Sequence, residues 1–271
     1  MNTKHKLLNK KGILNYISLR NSSRLVGIEI LRKTESTNND AKNIFNKLTK
    51  KEISYCFIAE EQTSGRGTKG RKWISPYGTN IYMSLAWKSS IPLYKTDGLS
   101  LATAVTITKI LNKGLNLNIR IKWPNDLILK DQKVGGILIE TSAKKNSTEL
   151  VIGVGLNVLM EKSDLQKTEI DWTSIFYHTK KVPDRNKVAG LILDSLLDLT
   201  NKFKTYGLAY YKDSFEELNF LEGKKCQIST GTQSDLIGKV IGINKRGELL
   251  VEVQDKIHVV RSIENSIIVV S

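Results

Sequence analysis

The 271-residue sequence predicts an α/β (α+β) fold, in which a domain built on a mixed sheet precedes a small C-terminal β barrel. Up to about residue 221, short apolar runs typical of strands alternate with stretches whose apolar residues recur at helical spacing. Beyond that point, short β-rich runs are separated by Gly and by Asp or Lys turns. We therefore expect a basic extension over residues 1–24, a large domain over 25–221 and a small domain over 222–271.

The beginning of the chain contains an extension, a strand and a capped helix. Residues 1–24 are polar and basic, with enough apolar side chains for one or two short helical turns. Residues 25–32 alternate as in a strand. Ser36 and Thr37 then offer an N-cap for a helix, because apolar side chains recur at helical spacing over residues 41–48.

The remaining elements follow from the alternating pattern of strands and from the helical spacing of apolar residues. Pro124 ends a strand, because proline cannot donate to a sheet ladder. In the large domain the predicted strands are residues 55–60, 80–87, 119–123, 127–129, 134–140 and 150–159, and the predicted helices are residues 97–112, 188–203 and 209–218. In the small domain the predicted strands are residues 225–230, 238–243, 248–253, 257–261 and 266–270.

The formal net charge of +15 makes a nucleic-acid partner one interpretation. The lysines are spread along the whole chain, however, which favours dispersed solvated charge over a nucleic-acid-binding face. Cys56 and Cys226 lie in separate apolar runs, so we expect two buried thiols rather than a metal or redox site. No apolar run is long enough to cross a bilayer, and the basic N-terminus lacks the long apolar core of a secretory signal. We therefore expect no membrane partner and a cytoplasmic location.

A glycine-rich basic loop follows the strand predicted at residues 55–60. Residues 59–73 read AEEQTSGRGTKGRKW and interleave three glycines with arginine and lysine. Glycine lets the backbone approach a ligand closely, and free backbone N–H groups with arginine side chains bind carboxylates or phosphates. Taken alone, the loop fits a solvated turn or an RNA-contacting loop as well as a small-molecule site.

Four further motifs accompany this loop in a fixed order. They are STN at 36–38, KWPND at 122–126, KVGGILIE at 133–140 and IGVGLNV at 152–158. Together they resemble the motifs of the biotin protein ligases, from roughly residue 30 to the C-terminus. The resemblance implies a mixed-sheet catalytic domain of the biotin/lipoate ligase type and an SH3-like C-terminal domain. It also implies that biotin and ATP form biotinyl-5′-AMP, from which biotin passes to a lysine of a biotin carboxyl carrier protein.

The implied reaction requires positioning and charge neutralisation, because a carboxylate must meet a triphosphate. Arg66 and Lys133 are the candidates that neutralise the biotin carboxylate and the α-phosphate, with Mg²⁺ on the phosphates. Lys122 is a candidate phosphate ligand. Asn125 and Asp126 are candidates to hold Mg²⁺, or to orient and deprotonate the acceptor lysine.

The resemblance assigns the other candidates to two ligands. Thr37 and Gln62 can pair with a ureido group, which presents one carbonyl and two N–H groups, while Asn157 can bind the adenine edge. The implied biotin-binding residues are Ser36, Thr37, Asn38, Gln62, Gly65, Arg66, Lys133, Gly135, Gly136 and Gly153. The implied ATP- or adenylate-binding residues are Gly67, Lys69, Arg71, Trp73, Asn125, Asn157 and Trp172, and the implied catalytic residues are Arg66, Lys133, Lys122 and Asp126.

Each candidate also has a purely structural interpretation. Arg66 would then form a salt bridge and Lys133 would be a surface lysine at a strand start. Asn125 and Asp126 would belong to a turn, and Trp172 would be an ordinary partly buried tryptophan. The joint pattern of the motifs favours the functional interpretation.

The chain departs from the family in two ways, and two rival functions exist. Thr68 stands where the family usually has arginine, which puts retention of the adenylate in doubt. Residues 1–24 leave no room for a helix-turn-helix module, so we expect no sequence-specific DNA binding; a homodimer stays open. The enzymatic rival is a lipoate–protein ligase. The other rival is a basic nucleic-acid-binding protein, although no aromatic residue follows Phe220 to stack on bases.

Overall fold

The computed structural model describes residues 6–161, 171–229, 235–261 and 266–270. Its helices are α1 (Lys10–Leu14), α2 (Leu19–Ser22), α3 (Thr37–Asn43), α4 (Leu99–Leu115), α5 (Ile175–Thr179), α6 (Arg185–Tyr206) and α7 (Lys212–Leu218). Its strands are β1 (Leu25–Leu31), β2 (Ile53–Ala59), β3 (Ile81–Ser89), β4 (Ile119–Lys122), β5 (Asp126–Leu129), β6 (Gln132–Lys144), β7 (Ser147–Leu156), β8 (Lys225–Ser229), β9 (Leu236–Ile243), β10 (Leu249–Val253), β11 (Lys256–Val260) and β12 (Ser266–Val269).

Seven strands form one mixed sheet in the order β1-β2-β3-β7-β6-β5-β4. Strands β1 and β2 are parallel, and the other neighbouring strands are antiparallel. Helices α4 and α6 pack against each other and cover one face, where most buried apolar side chains lie. Helix α3 packs on the opposite face across β2, β3 and β7, over a smaller apolar cluster. The predicted mixed-sheet α/β fold is confirmed.

The alternation along the central strand β7 explains how the two faces differ. Ile152 and Val154 belong to the large core, whereas Val151 belongs to the cluster under α3. Gly153 and Gly155 follow Val151 on the α3 side, because the side chains of a strand alternate with a period of two. Glycine at both positions leaves β7 without a side chain at these two points of the α3 face.

Strands β8 to β12 form a separate five-stranded antiparallel sheet in the order β11-β10-β9-β8-β12. This sheet confirms the small C-terminal β domain. It contacts the large domain through the turn before β10, where the Trp123 indole Nε1–H donates to the Gly247 carbonyl (2.9 Å). Arg246 in the same turn pairs with Asp97 at 3.1 Å. The small domain therefore lies directly against the KWPND motif.

Several strand bounds differ from the prediction, and two of these differences have a clear physical cause. Strand β6 continues to Lys144 instead of ending at residue 140, because residues 141–144 pair with residues 147–150 of β7. Strand β7 ends at Leu156 rather than at residue 159. The chain leaves the sheet there, because the Val158 N–H donates to the Asn80 side chain (2.9 Å) instead of to a neighbouring strand.

Two helical segments also differ. The helix predicted at residues 209–218 begins as a 3₁₀ turn over Gly207–Tyr211 and becomes α-helical at α7. Helix α5 was not predicted, because the segment after Trp172 is short and polar. It begins at Ile175, directly after the N-cap residue Ser174, whose Oγ accepts from the Tyr177 N–H (3.3 Å).

The remaining expectations concern cysteines and membrane spans. Cys56 and Cys226 are free and buried as expected, and burial raises the pKa of both thiols. Within the described ranges no helix is long and apolar enough to cross a membrane. Thr230, expected to end the first strand of the small domain, lies outside the described residues.

A buried ion pair joins the end of β2 to the start of α6. Glu60 Oε2 lies 2.7 Å from Arg185 Nη1, and the two side chains are only 2% and 1% exposed. Glu60 also accepts from the Leu8 N–H (2.5 Å), and Arg185 donates to the carbonyls of Asn80 and Lys6, each at 3.2 Å. The pair therefore fixes the segment before α1 and the start of β3 at one point.

We predict that Arg185→Met lowers the free energy of unfolding by about 3–5 kcal/mol, because Glu60 then stays buried without its cationic partner. The control is Arg20→Met, which removes an exposed pair with Asp198 and should change stability by less than about 1 kcal/mol. Equilibrium unfolding in urea measures both variants. Equal losses for the two would contradict a special role for the buried pair.

Candidate ligand-binding site

One pocket opens on the α3 side of the mixed sheet, between α3, the glycine-rich loop and strands β6 and β7. Most of the residues singled out in the sequence meet there. The pocket is lined by Ser36, Thr37, Asn38, Gln62, Arg66, Gly67, Thr68, Arg71, Lys72, Trp73, Ile74, Met83, Asn125, Lys133, Gly136, Ile137, Leu138, Gly153, Val154, Gly155, Asn157, Met160 and Trp172.

The floor of the pocket depends on the two glycines of β7. A Cβ at Gly153 would lie 2.4 Å from Asn38 Oδ1, and one at Gly155 would lie 2.4 Å from Trp73 Cε2. A Cβ at Gly136 on β6 would lie 3.4 Å from the same indole, which is ordinary contact. The Asn38 amide and the Trp73 indole can therefore lie against β7 only because it carries no side chain there.

A hydrogen-bonded polar cluster lies beside the N-terminus of α3. Gln62 Oε1 accepts from the Thr37 backbone N–H (2.9 Å) and from its hydroxyl (3.1 Å), and Gln62 Nε2 donates to Ser75 Oγ (3.0 Å). Ser84 Oγ lies 2.7 Å from Thr37 Oγ1 and 2.5 Å from Asn38 Oδ1. Such a connected network is rigid and presents both donors and acceptors to a ligand.

Lys133 is held by its backbone and by its side chain. Its N–H donates to the Asp171 carbonyl (3.1 Å), and its carbonyl accepts from the Thr173 N–H (2.9 Å). Its Nζ lies 2.6 Å from Asp126 Oδ1 and 5.5 Å from the centre of the Trp73 ring. A cation is thus fixed in the pocket wall between a carboxylate and an aromatic face.

Arg66 is the second cation of the pocket. Its Nη2 donates to Asn39 Oδ1 (2.8 Å) and to Glu140 Oε2 (3.1 Å). Glu140 also accepts from Lys42 Nζ (2.5 Å) and Asn38 Nδ2 (2.8 Å). Burial opposes ionisation of the Glu140 carboxyl, but the hydrogen bonds from Lys42 and Asn38 and the charge of Arg66 outweigh it, and its pKa lies below the usual value.

Five predicted residues do not line the pocket, and they are Gly65, Gly135, Lys69, Lys122 and Asp126. A Cβ at Gly65 would lie 2.4 Å from the Trp73 carbonyl, and one at Gly135 would lie 2.9 Å from the Gly155 carbonyl. Both glycines therefore allow close backbone packing beneath the site. Lys69 lies in the loop with a left-handed backbone (φ 60°).

Lys122 and Asp126 do not line the pocket and are paired with each other in the β4–β5 hairpin. Burial lowers the pKa of the Lys122 ammonium, and the nearby Asp126 carboxylate offsets part of that effect. Asp126 reaches the pocket indirectly, through its ion pair with Lys133. The roles of these residues stay predictions.

Asn157 connects the end of β7 to the segment that carries Trp172. Its side chain is buried: Nδ2 donates to the Thr173 carbonyl (3.0 Å), and Oδ1 lies 3.4 Å from Asn80 Nδ2. Trp172 thereby lies in the pocket wall next to Lys133, with which it forms a parallel bridge. The Asn157 side chain thus has a structural role in addition to its place in the pocket lining.

Thr68 contacts Arg71, another residue of the glycine-rich loop. Its hydroxyl accepts from Arg71 Nη2 (3.2 Å), and its carbonyl accepts from Arg71 Nε (3.4 Å). Threonine therefore holds the neighbouring cation in the loop, whereas the effect of this departure on an adenylate stays a prediction.

The sequence analysis missed part of the lining. Gly155 was recognisable, since it lies two residues after Gly153 and must share its face. The others gave no signal, because apolar and surface residues of these types occur everywhere. The missed lining residues are Lys72, Ile74, Met83, Ile137, Leu138, Val154, Gly155 and Met160.

Comparison with known proteins shows the family to which this chain belongs. The sequence profile of the biotin/lipoate A/B protein ligase family matches residues 30–157. The bifunctional ligase/repressor BirA of Escherichia coli is 32% identical over 243 residues, which cover 87% of this chain and 74% of BirA. The chain belongs to the biotin/lipoate A/B protein ligase family. Its matched segment contains every predicted site residue except Trp172.

A second relative and a solved structure are also similar to this chain. The biotin–[acetyl-CoA-carboxylase] ligase of Paracoccus denitrificans is 29% identical, over 82% of this chain and 92% of that one. The structure of the biotin protein ligase from Aquifex aeolicus in complex with biotin and ATP superposes with a TM-score of 0.75. It covers 90% of this chain and 100% of that chain at 24% identity, which establishes a common fold.

We predict that Gly155→Ala displaces the Trp73 indole, because the new Cβ would lie 2.4 Å from it. The measurement is ¹⁹F NMR of protein labelled with 5-fluorotryptophan, with the Trp73 resonance assigned from Trp73→Phe. Gly67→Ala is the control, since its Cβ would make only ordinary contact with Arg71. An unchanged Trp73 resonance in Gly155→Ala would show that β7 can accept a side chain there.

Proposed function

We propose that this protein is a biotin–protein ligase. It forms biotinyl-5′-AMP from biotin and ATP, releases pyrophosphate, and transfers biotin to a lysine of a biotin carboxyl carrier protein. The observation that carries the proposal is one pocket in which a rigid polar cluster, including Thr37 and Gln62, lies beside two fixed cations, Arg66 and Lys133. Family membership and the names of the relatives support the same activity.

The polar cluster is the proposed site of the biotin ureido group. That group has one carbonyl and two N–H groups, so its binding site must offer both donors and acceptors. The Thr37 hydroxyl and the Gln62 amide supply both kinds of group and already bond to each other. We assign the ring system of biotin to the residues Ser36, Thr37, Asn38, Gln62 and Gly153.

The two cations are proposed to make adenylation feasible. In this step a biotin carboxylate oxygen attacks the α-phosphorus of ATP, and the bond to the departing pyrophosphate breaks. The two reacting groups are both anionic and repel each other until cations lie between them. Arg66 binds the carboxylate, and Lys133 stabilises charge on the α-phosphate and the adenylate carbonyl oxygen. Both side chains are already oriented by carboxylates, so little reorganisation is needed.

The second step needs a proton acceptor. The ε-amine of the acceptor lysine attacks the carbonyl of the mixed anhydride, AMP leaves, and the amine loses a proton. Asp126 is the proposed acceptor of that proton, and it lies 2.6 Å from Lys133. Lys122, beside it, would assist with phosphate binding.

The adenylate and its metal are assigned to the rest of the pocket. We assign ATP to Gly67, Arg71, Trp73, Asn157 and Trp172, with the adenine on the Trp172 face. No cluster of three or more His, Cys, Asp or Glu side chains suited to a metal occurs among the described residues.

The donors near KWPND suit a Mg²⁺ ion that arrives on the triphosphate. Asn125 Nδ2 donates to the Ile137 carbonyl (2.8 Å), which leaves its amide oxygen to coordinate alongside the Asp126 carboxylate. One carboxylate and one amide oxygen fit the usual protein share of a phosphate-bound Mg²⁺. When bound, Mg²⁺ would neutralise charge on the departing pyrophosphate.

Partners and organisation form the remaining part of the proposal. We propose that the chain divides into three parts, residues 1–24, 25–221 and 222–271. We also propose a cytoplasmic location. Any DNA contacts would be made to the phosphates and would not depend on the base sequence. Competition binding near physiological salt would reveal any preferred duplex sequence. A homodimer stays open, and analytical ultracentrifugation with and without biotin and ATP would decide it.

Pyrophosphate exchange into ATP tests the proposed function most simply. Biotin should support exchange, while lipoate and buffer alone should not, because only biotin carries a ureido group. Exchange with lipoate alone would favour the lipoate–protein ligase, which shares the family. Exchange without an added acid, or none with biotin, would contradict the proposal.

We predict that Lys133→Ala slows adenylation by about 10²–10³, the usual cost of losing one preorganised electrostatic group. Biotin affinity should fall much less, since the polar cluster is untouched. Single-turnover formation of biotinyl-5′-AMP measures the step. Lys144→Ala, at the exposed end of the same strand, is the control and should keep the parent rate. A rate for Lys133→Ala within a few-fold of the parent would exclude the role.

A further inference from the structure

Glu140 is the hub that joins the polar cluster to the cationic side chain of Arg66. It lies on β6 opposite Val151 of β7, on the α3 side of the sheet. Its carboxylate accepts hydrogen bonds from three side chains, and those are Arg66 (3.1 Å), Asn38 (2.8 Å) and Lys42 (2.5 Å). Glu140 itself does not line the pocket. It can therefore act on a bound ligand only through its partners.

A continuous hydrogen-bond chain runs through Glu140. It begins at the proposed carboxylate-binding cation and ends at the proposed ureido-binding amide. The links are Arg66 to Glu140 (3.1 Å), Glu140 to Asn38 (2.8 Å), Asn38 to Ser84 (2.5 Å), Ser84 to Thr37 (2.7 Å) and Thr37 to Gln62 (3.1 Å). The two functional groups of one ligand would thus contact the two ends of one network.

We propose that Glu140 is a positioning residue that orients Arg66 toward the ligand carboxylate and couples it to the polar cluster. The inference rests on the proposed function and extends it to a residue outside the pocket lining. Arg66 is 39% exposed, so without a fixed partner its long side chain would sample many rotamers. Asn39 alone is a weaker partner, because it is a neutral acceptor.

A substitution at Lys42 can distinguish this positioning role of Glu140 from simple charge pairing. It contacts the other oxygen of Glu140 at 2.5 Å but does not line the pocket. Lys42→Met therefore removes an ion pair of Glu140 while it leaves the links to Arg66 and Asn38 in place. If Glu140 served only to stabilise the fold, the loss of either cationic partner would have a similar effect.

The first experiment measures the environment of Arg66 without any ligand. Phenylglyoxal reacts with guanidinium groups, and mass spectrometry gives the modification rate of each arginine. Glu140→Gln should speed modification of Arg66 several-fold relative to Arg71, whose contacts to Thr68 are unaffected. Lys42→Met should leave that ratio unchanged. An unchanged ratio in Glu140→Gln would overturn the proposal, whatever the protein's activity.

The second experiment measures steady-state adenylation. Glu140→Gln should raise KM for biotin about ten-fold, corresponding to one lost charge-assisted hydrogen bond, and leave KM for ATP within about two-fold. In an Arg66→Ala background the same substitution should add less than about two-fold, because Glu140 acts through Arg66. Fully additive effects would overturn the proposal. Glu140→Asp, which keeps the charge, replaces Glu140→Gln if that variant fails to fold.

The two experiments distinguish this inference from the proposed function. A parent protein without biotin-dependent exchange would contradict the function, and the modification ratio would still decide whether Glu140 orients Arg66. If the parent protein shows normal biotin-dependent exchange but Glu140→Gln and Lys42→Met give the same modification ratio, the inference is contradicted and the proposed function is not.

Discussion

The site depends on the absence of two side chains from the central strand of the mixed sheet. Gly153 and Gly155 face α3 at successive outward positions of β7, and a Cβ at either would lie 2.4 Å from Asn38 or Trp73. Glycine in a strand costs roughly 0.5–1 kcal/mol relative to alanine, so two of them weaken the sheet where it is most buried. The cost is offset across the rest of β7, whose other face belongs to the large core. The sheet thus forms the floor of the pocket, and α3 and the glycine-rich loop complete its walls.

The second constraint is electrostatic. Two of the cations that line the pocket are held by carboxylates of the protein, Lys133 by Asp126 at 2.6 Å and Arg66 by Glu140 at 3.1 Å. Unpaired cations in a partly buried pocket would be costly and disordered, whereas paired ones are oriented before a ligand arrives. The conformational entropy of these side chains is then lost during folding, so that its loss does not weaken ligand binding. An anionic ligand must compete with these carboxylates for the two cations. A ligand with two anionic groups can contact both cations at once and is therefore favoured.

The fold could be predicted from the sequence because its strands and long helices carry clear periodicity. The short helix α5 could not, since it depends on the Ser174 cap and on packing after β7. Likewise, the end of β7 at Leu156 follows from a bond between Val158 and Asn80, which are far apart in the chain. Most candidate site residues could be singled out because their motifs together resemble those of one family, and the structure brings most of them to one pocket. The partners of its cations were not, because Arg66 and Glu140 are separated by 74 positions and meet only across the sheet.

The most direct measurement is a crystal structure of the protein with biotin bound. The account predicts that the ureido group lies within about 3.2 Å of the Thr37 hydroxyl or the Gln62 amide, and that the carboxylate lies within the same distance of Arg66 or Lys133. The bicyclic ring should rest over Gly153 of β7. Biotin bound elsewhere, or with its carboxylate at the Thr37–Gln62 cluster, would contradict the account.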